Sequence, residues 1–156
     1  MSAVIKAIGV RFDVDAFLVG CTLPVCTSYR RGDRKFGGAP DNPIETYSGV
    51  HLVASVADFA DFSKQETDAT DFLRLHVEQL RRLRWFPGVE SVTLDFGIER
   101  RNLFVQCNAF SPELVALTAA LGFGIRLLIY PGSHEAPPDI QSEAPPNADA
   151  PQSSVS

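Results

Sequence analysis

The sequence is poor in residues that form disulfides or metal sites. Its three cysteines, Cys21, Cys26 and Cys107, are an odd number and include no Cys-x-x-Cys pair. The histidines form no His-x-x-x-His pair either. We therefore expect free thiols in a reducing, cytoplasmic environment, with no metal site and no cofactor. A disulfide formed in an oxidising compartment is the alternative.

Long apolar runs and an excess of basic residues are also lacking. No apolar run approaches about 18 residues, the length expected of a transmembrane helix, and the first residues do not resemble a signal peptide. The chain has 14 basic and 19 acidic residues, for a net charge of −5 at pH 7. This balance disfavours general nucleic-acid binding, and the sequence predicts no membrane contact.

The last segment of the chain has a composition of its own. Residues 131–156 lack lysine and arginine and contain six of the eleven prolines. Their carboxylates, at Glu135, Asp139, Glu143 and Asp149, account for most of the net charge. Such a segment buries too little apolar surface to offset its ordering entropy. We predict one folded domain at residues 1–130 and a disordered acidic tail at 131–156.

Residues 1–130 show the hydrophobic spacing of an α+β domain. Alternating apolar residues predict strands, and spacing by three and four predicts helices. The predicted strands are 4–12, 50–56, 89–97, 103–107 and 123–130, and the predicted helices are 14–19, 67–84 and 111–122. From residue 50 the order is β-α-β-β-α-β. We predict an α+β fold with a mostly antiparallel sheet and a ferredoxin-like core, preceded by an extra strand and helix.

Several residues carry local structural predictions. Asp13 and Ser111 are placed to cap helices, and Gly122 to close the last one. His76 lies on the apolar stripe of the long helix and is interpreted as a packing residue. Cys107 alternates with apolar neighbours in the predicted strand 103–107, so we expect its thiol in the core.

Short motifs near both ends of the predicted domain resemble an uncharacterised bacterial family. The motifs are Ile8-Gly9, Phe17-Leu18 and Thr27-Ser28-Tyr29-Arg30-Arg31-Gly32-Asp33, then Leu94-Asp95-Phe96, Ser111-Pro112-Glu113-Leu114, Gly124-Ile125 and Ile129-Tyr130. That family is a small α+β domain of unknown function, and some members are suspected immunity proteins beside secreted toxins. The resemblance implies a similar fold and a binding role, and it implies no catalytic residues.

A polar arm at residues 22–49 contains the strongest candidate for a binding site. Its cations and aromatic residue include Tyr29, Arg30, Arg31, Arg34 and Lys35, followed by glycines within residues 36–38. Arginine binds carboxylate or phosphate through two parallel hydrogen bonds, and glycine lets backbone amides approach an anion. The alternative is a solvated surface loop, since the spacing matches no phosphate-loop motif.

Catalytic candidates are few. His51 lies in a strand next to the arm, and Asp95 faces the polar side of its strand, so either could act as an acid or base. The simpler interpretation is a packing histidine and a surface carboxylate. A nucleophilic pair of Cys26 with His51 has little support from the sequence.

These observations favour a non-catalytic binding module acting through the 22–49 arm, as an immunity or inhibitor-type protein would. The alternative is an enzyme or ligand sensor acting on an anionic small molecule. The expected partner is a protein or a small anionic ligand, without nucleic acid or membrane. An exposed sheet edge at the first or last strand also makes a homodimer compatible with the sequence.

Overall fold

The computed structural model describes residues 2–35 and 41–132. Residues 36–40, which include the glycine-rich end of the predicted binding motif, lie outside the described part of the chain. Most of the predicted tail, at 133–156, lies outside it as well.

The described chain forms five strands and four helices in an α+β arrangement. They are β1 (Ala3–Gly9), α1 (Val14–Leu18), β2 (Val25–Tyr29), β3 (Ser48–Ser55), α2 (Phe62–Leu75), α3 (Val77–Arg84), β4 (Ser91–Glu99), α4 (Pro112–Leu121) and β5 (Gly124–Tyr130). The strands form one sheet in the order β2-β3-β1-β4-β5. All neighbours are antiparallel except β4 and β5, which are parallel. The α+β class and the mostly antiparallel sheet are confirmed.

The helices and one face of the sheet share a hydrophobic core. Along β1, buried residues alternate with half-buried ones, so Ile5 faces the helices while Lys6 faces the other way. Ile5, Leu52 and Leu94 from three adjacent strands are fully buried in the same cluster as Leu73 of α2. The opposite face of the sheet is covered by no described helix, and we call it the open face.

The local signals at helix ends act as the sequence predicts. The carboxylate of Asp13 accepts a hydrogen bond from Ala16 N at 3.0 Å, and Ser111 Oγ accepts one from Leu114 N at 3.2 Å. Gly122 ends α4 with φ +70°, a conformation that a side chain would disfavour. Each of these predictions depends only on neighbouring residues.

The predicted single helix at residues 67–84 is wrong in both its start and its continuity. The helical region begins at Phe62, since Asp61 caps α2 by accepting from Lys64 N at 3.0 Å. It divides at His76, whose φ of −111° and ψ of 16° leave the helical range. Leu73 and Leu80 are both fully buried. The apolar stripe therefore continues across the break and does not reveal it. His76 itself is half-buried against the Phe72 ring, with centroids 4.5 Å apart, in agreement with its interpretation as a packing residue.

The predicted strand at 103–107 is not formed. Leu103, Phe104 and Val105 are 61%, 106% and 69% exposed, and Cys107 is exposed rather than in the core. Local hydrogen bonds replace the strand ladder, because Gln106 donates to Glu99 O at 3.0 Å and accepts from the Arg101 amide at 3.0 Å.

The order from β3 onward is therefore β-α-α-β-α-β, and a ferredoxin-like arrangement is not confirmed. The chain leaves β4 through an irregular segment, forms α4 and returns as β5 parallel to β4. A crossover helix is what a parallel pair of strands requires.

The predicted polar arm contains regular structure. β2 pairs with β3 so that Thr27 lies opposite His51 and Tyr29 opposite Gly49. Beyond β2, Arg34 and Ile44 form an isolated antiparallel bridge. The arm therefore extends the sheet by one strand and folds back beside its open face.

Candidate functional site

Polar side chains from the middle of the sheet meet on the open face. Thr27 of β2 lies opposite His51 of β3, and His51 lies opposite Lys6 of β1. Lys6 in turn lies opposite Thr93 of β4. Because facing residues on neighbouring strands share one side of a sheet, these side chains project together.

A groove of about 630 Å³ lies over this row, and we call it the sheet-face groove. Its wall carries the cationic side chains of Lys6, Arg34, Lys35 and Arg126, together with the hydrogen-bonding groups of Thr27, Ser28, Tyr29 and His51. Asp33 and Glu45 contribute the acidic groups. The floor comes from the central strands, and one wall comes from the arm.

A buried carboxylate lies next to the groove and holds two of its cations. Asp95 is 2% exposed, and it accepts a hydrogen bond from Arg126 Nε at 2.8 Å and a second from Arg126 Nη2. Lys6 Nζ lies 3.0 Å from Asp95 Oδ2. The register explains the pair, since Asp95 of β4 lies directly opposite Arg126 of β5.

The environment keeps this cluster charged. Burial raises the pKa of Asp95, but hydrogen bonds from Arg126, Lys6 and Thr93 outweigh burial and hold that pKa below its ordinary value of 3.8. The hydrogen bond to Asp95 likewise raises the pKa of Arg126. Two cations then share one carboxylate, so the cluster carries an excess positive charge at neutral pH.

His51 and Tyr29 add neutral hydrogen-bonding groups. Their rings pack edge to face with centroids 5.4 Å apart. Burial lowers the pKa of His51 below its ordinary 6.5, the nearby Lys6 lowers it further, and Asp95 and Glu45 oppose the shift. Burial and the charge of Glu45 raise the pKa of Tyr29 above 10.0. At neutral pH the groove thus holds an uncharged imidazole and a protonated phenol.

The arm contributes two further cations at the groove wall. Arg34 Nη1 donates to Asn42 O at 3.3 Å, and Lys35 Nζ lies 3.7 Å from Glu45 Oε2. The bridge between Arg34 and Ile44 fixes the backbone at this point. Tyr29, Arg34 and Lys35 are therefore brought to the groove together.

Arg30 and Arg31, the other two predicted binding residues, do not line the groove. Arg30 pairs with Asp15 of α1 through two hydrogen bonds, one of them from Nε to Oδ2 at 2.8 Å. Arg31 donates its backbone amide to Ser48 Oγ at 3.1 Å. The basic motif is therefore divided between two sides of the arm.

The catalytic candidates are placed separately. His51 lines the sheet-face groove, whereas Asp95 lines an adjacent cavity of about 50 Å³ that shares Lys6 with it. Cys26 Sγ donates to the backbone carbonyl of His51 at 3.1 Å, so the thiol is not paired with the imidazole.

Sequence reasoning missed Lys6 and Arg126. Each is a single charged residue within an otherwise apolar strand, in AVIKAIG and GIRLLIY. Strand alternation places both on the face opposite the buried residues, as it does for Asp95. What the sequence alone does not give is the strand order, which makes the three residues neighbours.

A second concave region lies between α2 and α4, and its polar side chains bond to other groups of the protein rather than facing a free site. It measures about 200 Å³. Arg74 pairs there with Glu113, and Glu66 accepts from the Ser111 amide. Its polar groups mainly join the two helices. Within residues 2–35 and 41–132, no group of three or more metal-ligating side chains comes together.

Comparison of the chain with protein-family profiles, with curated proteins and with solved structures finds no match. The resemblance to the uncharacterised bacterial family therefore stays a prediction. In the described part of the chain, no helix is both long enough and apolar enough to cross a membrane.

Proposed function

We propose that this protein is a non-catalytic binding module that recognises an anionic group in the sheet-face groove. The observation that supports this most directly is the pairing of two cations, Lys6 and Arg126, with the single carboxylate of Asp95. The remaining positive charge lies beside neutral donors on His51 and Tyr29. A carboxylate or phosphate entering the groove would meet charge and hydrogen bonds together.

Lys6 and Arg126 keep donors for a ligand. An ammonium has three N–H groups and a guanidinium has five, of which Asp95 occupies one and two. Their side chains are 30% and 52% exposed, so the remaining donors can reach solvent. Asp95 thus orients both cations and leaves further N–H donors on each of them for a ligand.

The ligand class we favour is a small anionic molecule, because the groove is concave and lies on rigid strands. An immunity or inhibitor role, in which a partner protein inserts an acidic side chain, remains a prediction of the family resemblance. A cytoplasmic location is likewise a prediction of the sequence alone.

An enzyme is the second candidate, and one observation favours it. His51 is half-buried, its pKa is lowered, and it faces the groove, as a general base must. If it acts so, His51→Ala abolishes turnover of a bound anion while binding remains. Unchanged turnover would remove His51 from the mechanism.

The test is a calorimetric titration of the full chain with inorganic phosphate and with a small dicarboxylate. Lys6→Gln should weaken binding at least about tenfold, because a charged hydrogen bond contributes about 1.5–3 kcal/mol and about 1.4 kcal/mol is a factor of ten. The matched control is Arg81→Gln, an exposed cation paired with Glu78 on α3, which should bind normally. Equal affinity of the two variants would exclude the groove as the site.

A further inference from the structure

The outer edge of β5 exposes hydrogen-bonding groups and apolar side chains together. β5 is the last strand of the sheet, and none of the described strands pairs with its outer side. Leu127 and Ile129 are 37% and 56% exposed although they lie on the helix side of the sheet. An apolar edge of this kind is a template for another strand.

The backbone direction identifies which residues face outward. Tyr130 O accepts a hydrogen bond from Arg100 N at 2.8 Å, so Tyr130 directs its backbone groups toward the end of β4. Successive residues of a strand alternate. Ile125, Leu127 and Ile129 therefore direct their N–H and C=O groups away from the sheet.

The outward edge is confined to these three residues. On one side, the Phe123 amide donates to Thr118 O at 2.9 Å in the turn that ends α4. On the other side, Pro131 has no N–H to donate. The edge is therefore short, with defined ends.

We propose that β5 pairs antiparallel with β5 of a second copy of this chain, giving a symmetric dimer with a continuous sheet. With Leu127 on the two-fold axis, Ile125 lies opposite Ile129 of the partner subunit. All three outward residues of each copy then donate and accept, and their side chains form one apolar row.

Charge excludes one neighbouring register, and lost backbone pairing excludes the other. A shift that places Arg126 on the two-fold axis would set two guanidinium groups directly opposite each other, which is destabilising. A shift to Leu128 leaves Ile125 of each copy unpaired. Centring on Leu127 instead sets Arg126 opposite Leu128 of the partner subunit, without like-charge contact. The strand is thus complementary to itself.

The exposed surface of α4 also supports a second copy of the chain as the partner of β5. α4 has the sequence PELVALTAAL, whose single charged residue, Glu113, lies in the first turn. Val115 is 46% exposed, and Ala116, Ala119 and Ala120 are exposed as well. An amphipathic surface helix normally presents charged residues to water. In the dimer both copies of α4 lie on the same side of the joined sheet.

Sedimentation equilibrium of the full chain over a concentration series tests this dimer, and it needs no ligand in the sheet-face groove. Wild type should dimerise reversibly. Ile129→Lys should raise the dimer Kd at least about tenfold, since it places two charges in the apolar row. The matched control is Val56→Lys, at a position 77% exposed just after β3, which two strands separate from β5; it should dimerise like wild type.

A second pair of variants tests the register. Leu128→Glu would place a carboxylate opposite Arg126 of the partner subunit and should lower the Kd, whereas Leu128→Lys should raise it. Weakening by both variants would indicate a different register and overturn the one proposed.

A dimer unaffected by Ile129→Lys overturns the proposal, and so does a monomeric wild type. In a monomer, slow amide exchange at Ile125, Leu127 and Ile129 would show that another segment of the same chain covers the edge. Fast exchange would show that the edge is free.

Discussion

At the scale of single residues, the open face of the sheet depends on Asp95. A carboxylate with 2% exposure is tolerated only because Arg126 and Lys6 bind it. Removing the carboxylate charge should therefore lower the stability of the fold and raise the affinity of the groove for anions.

Asp95→Asn should lower the free energy of unfolding by about 2 kcal/mol, because charged hydrogen bonds to a buried group are lost. The same change leaves Lys6 and Arg126 without their shared counter-charge, so phosphate should bind more tightly. Urea denaturation and calorimetry measure the two effects.

The control is Asp71→Asn, an exposed carboxylate paired with Arg74 at the surface of α2, which should change neither quantity. Weaker phosphate binding by Asp95→Asn would mean that Asp95 holds the cations in a geometry the ligand needs.

His51 should make stability depend on pH. Burial lowers its pKa in the folded protein below the ordinary 6.5, so the unfolded chain takes up the proton more readily. Stability then falls as the pH decreases below 6.5 toward the folded pKa. The groups that face His51 are Lys6, Asp95, Glu45 and Tyr29, and Asp95, with its pKa below 3.8, stays ionised in this window.

His51→Gln should flatten the dependence between about pH 5 and 7. Urea midpoints at several pH values check it. An unchanged slope in the variant would assign the pH dependence to another group.

At the scale of elements, the sequence predicts best what neighbouring residues determine. The caps at Asp13 and Ser111 and the helix end at Gly122 are found where the sequence predicts them, because each needs only its adjacent turn. The strand expected at 103–107 failed because alternation there competes with the local hydrogen bonds of Gln106. The sequence did not predict two residues of the groove, Lys6 and Arg126. They are more than a hundred residues apart and meet only because of the strand order.

Tyr29 reaches the groove because β3 has no side chain at Gly49. A Cβ added there would lie 2.6 Å from the Tyr29 hydroxyl oxygen and 2.8 Å from Ala7 O. Gly49→Ala should displace the ring and weaken phosphate binding several-fold.

The control for this change is Gly124→Ala, where the nearest atom would be Thr93 Cγ2 at 3.5 Å, an ordinary contact. Its affinity should equal that of wild type. A Gly49→Ala variant that binds normally would show that Tyr29 does not contribute to the site.

At the scale of the whole molecule, charge is distributed unevenly along the chain. The groove holds an excess of positive charge, whereas residues 131–156 carry four carboxylates and no cation. Anions near such a segment are repelled, and the effect is screened by salt over about 10 Å at 0.1 M. The acidic segment should therefore weaken the binding of anionic ligands at low salt.

Deleting residues 133–156 should increase phosphate affinity about two- to threefold at low ionic strength, and the gain should vanish near 0.5 M salt. The control keeps the full length and replaces the four carboxylates by amides: Glu135→Gln, Asp139→Asn, Glu143→Gln and Asp149→Asn. If charge is the cause, this variant gains as much affinity as the deletion. A gain seen only with the deletion would mean that the segment obstructs the groove by its bulk, because the two variants share their charge and differ only in length.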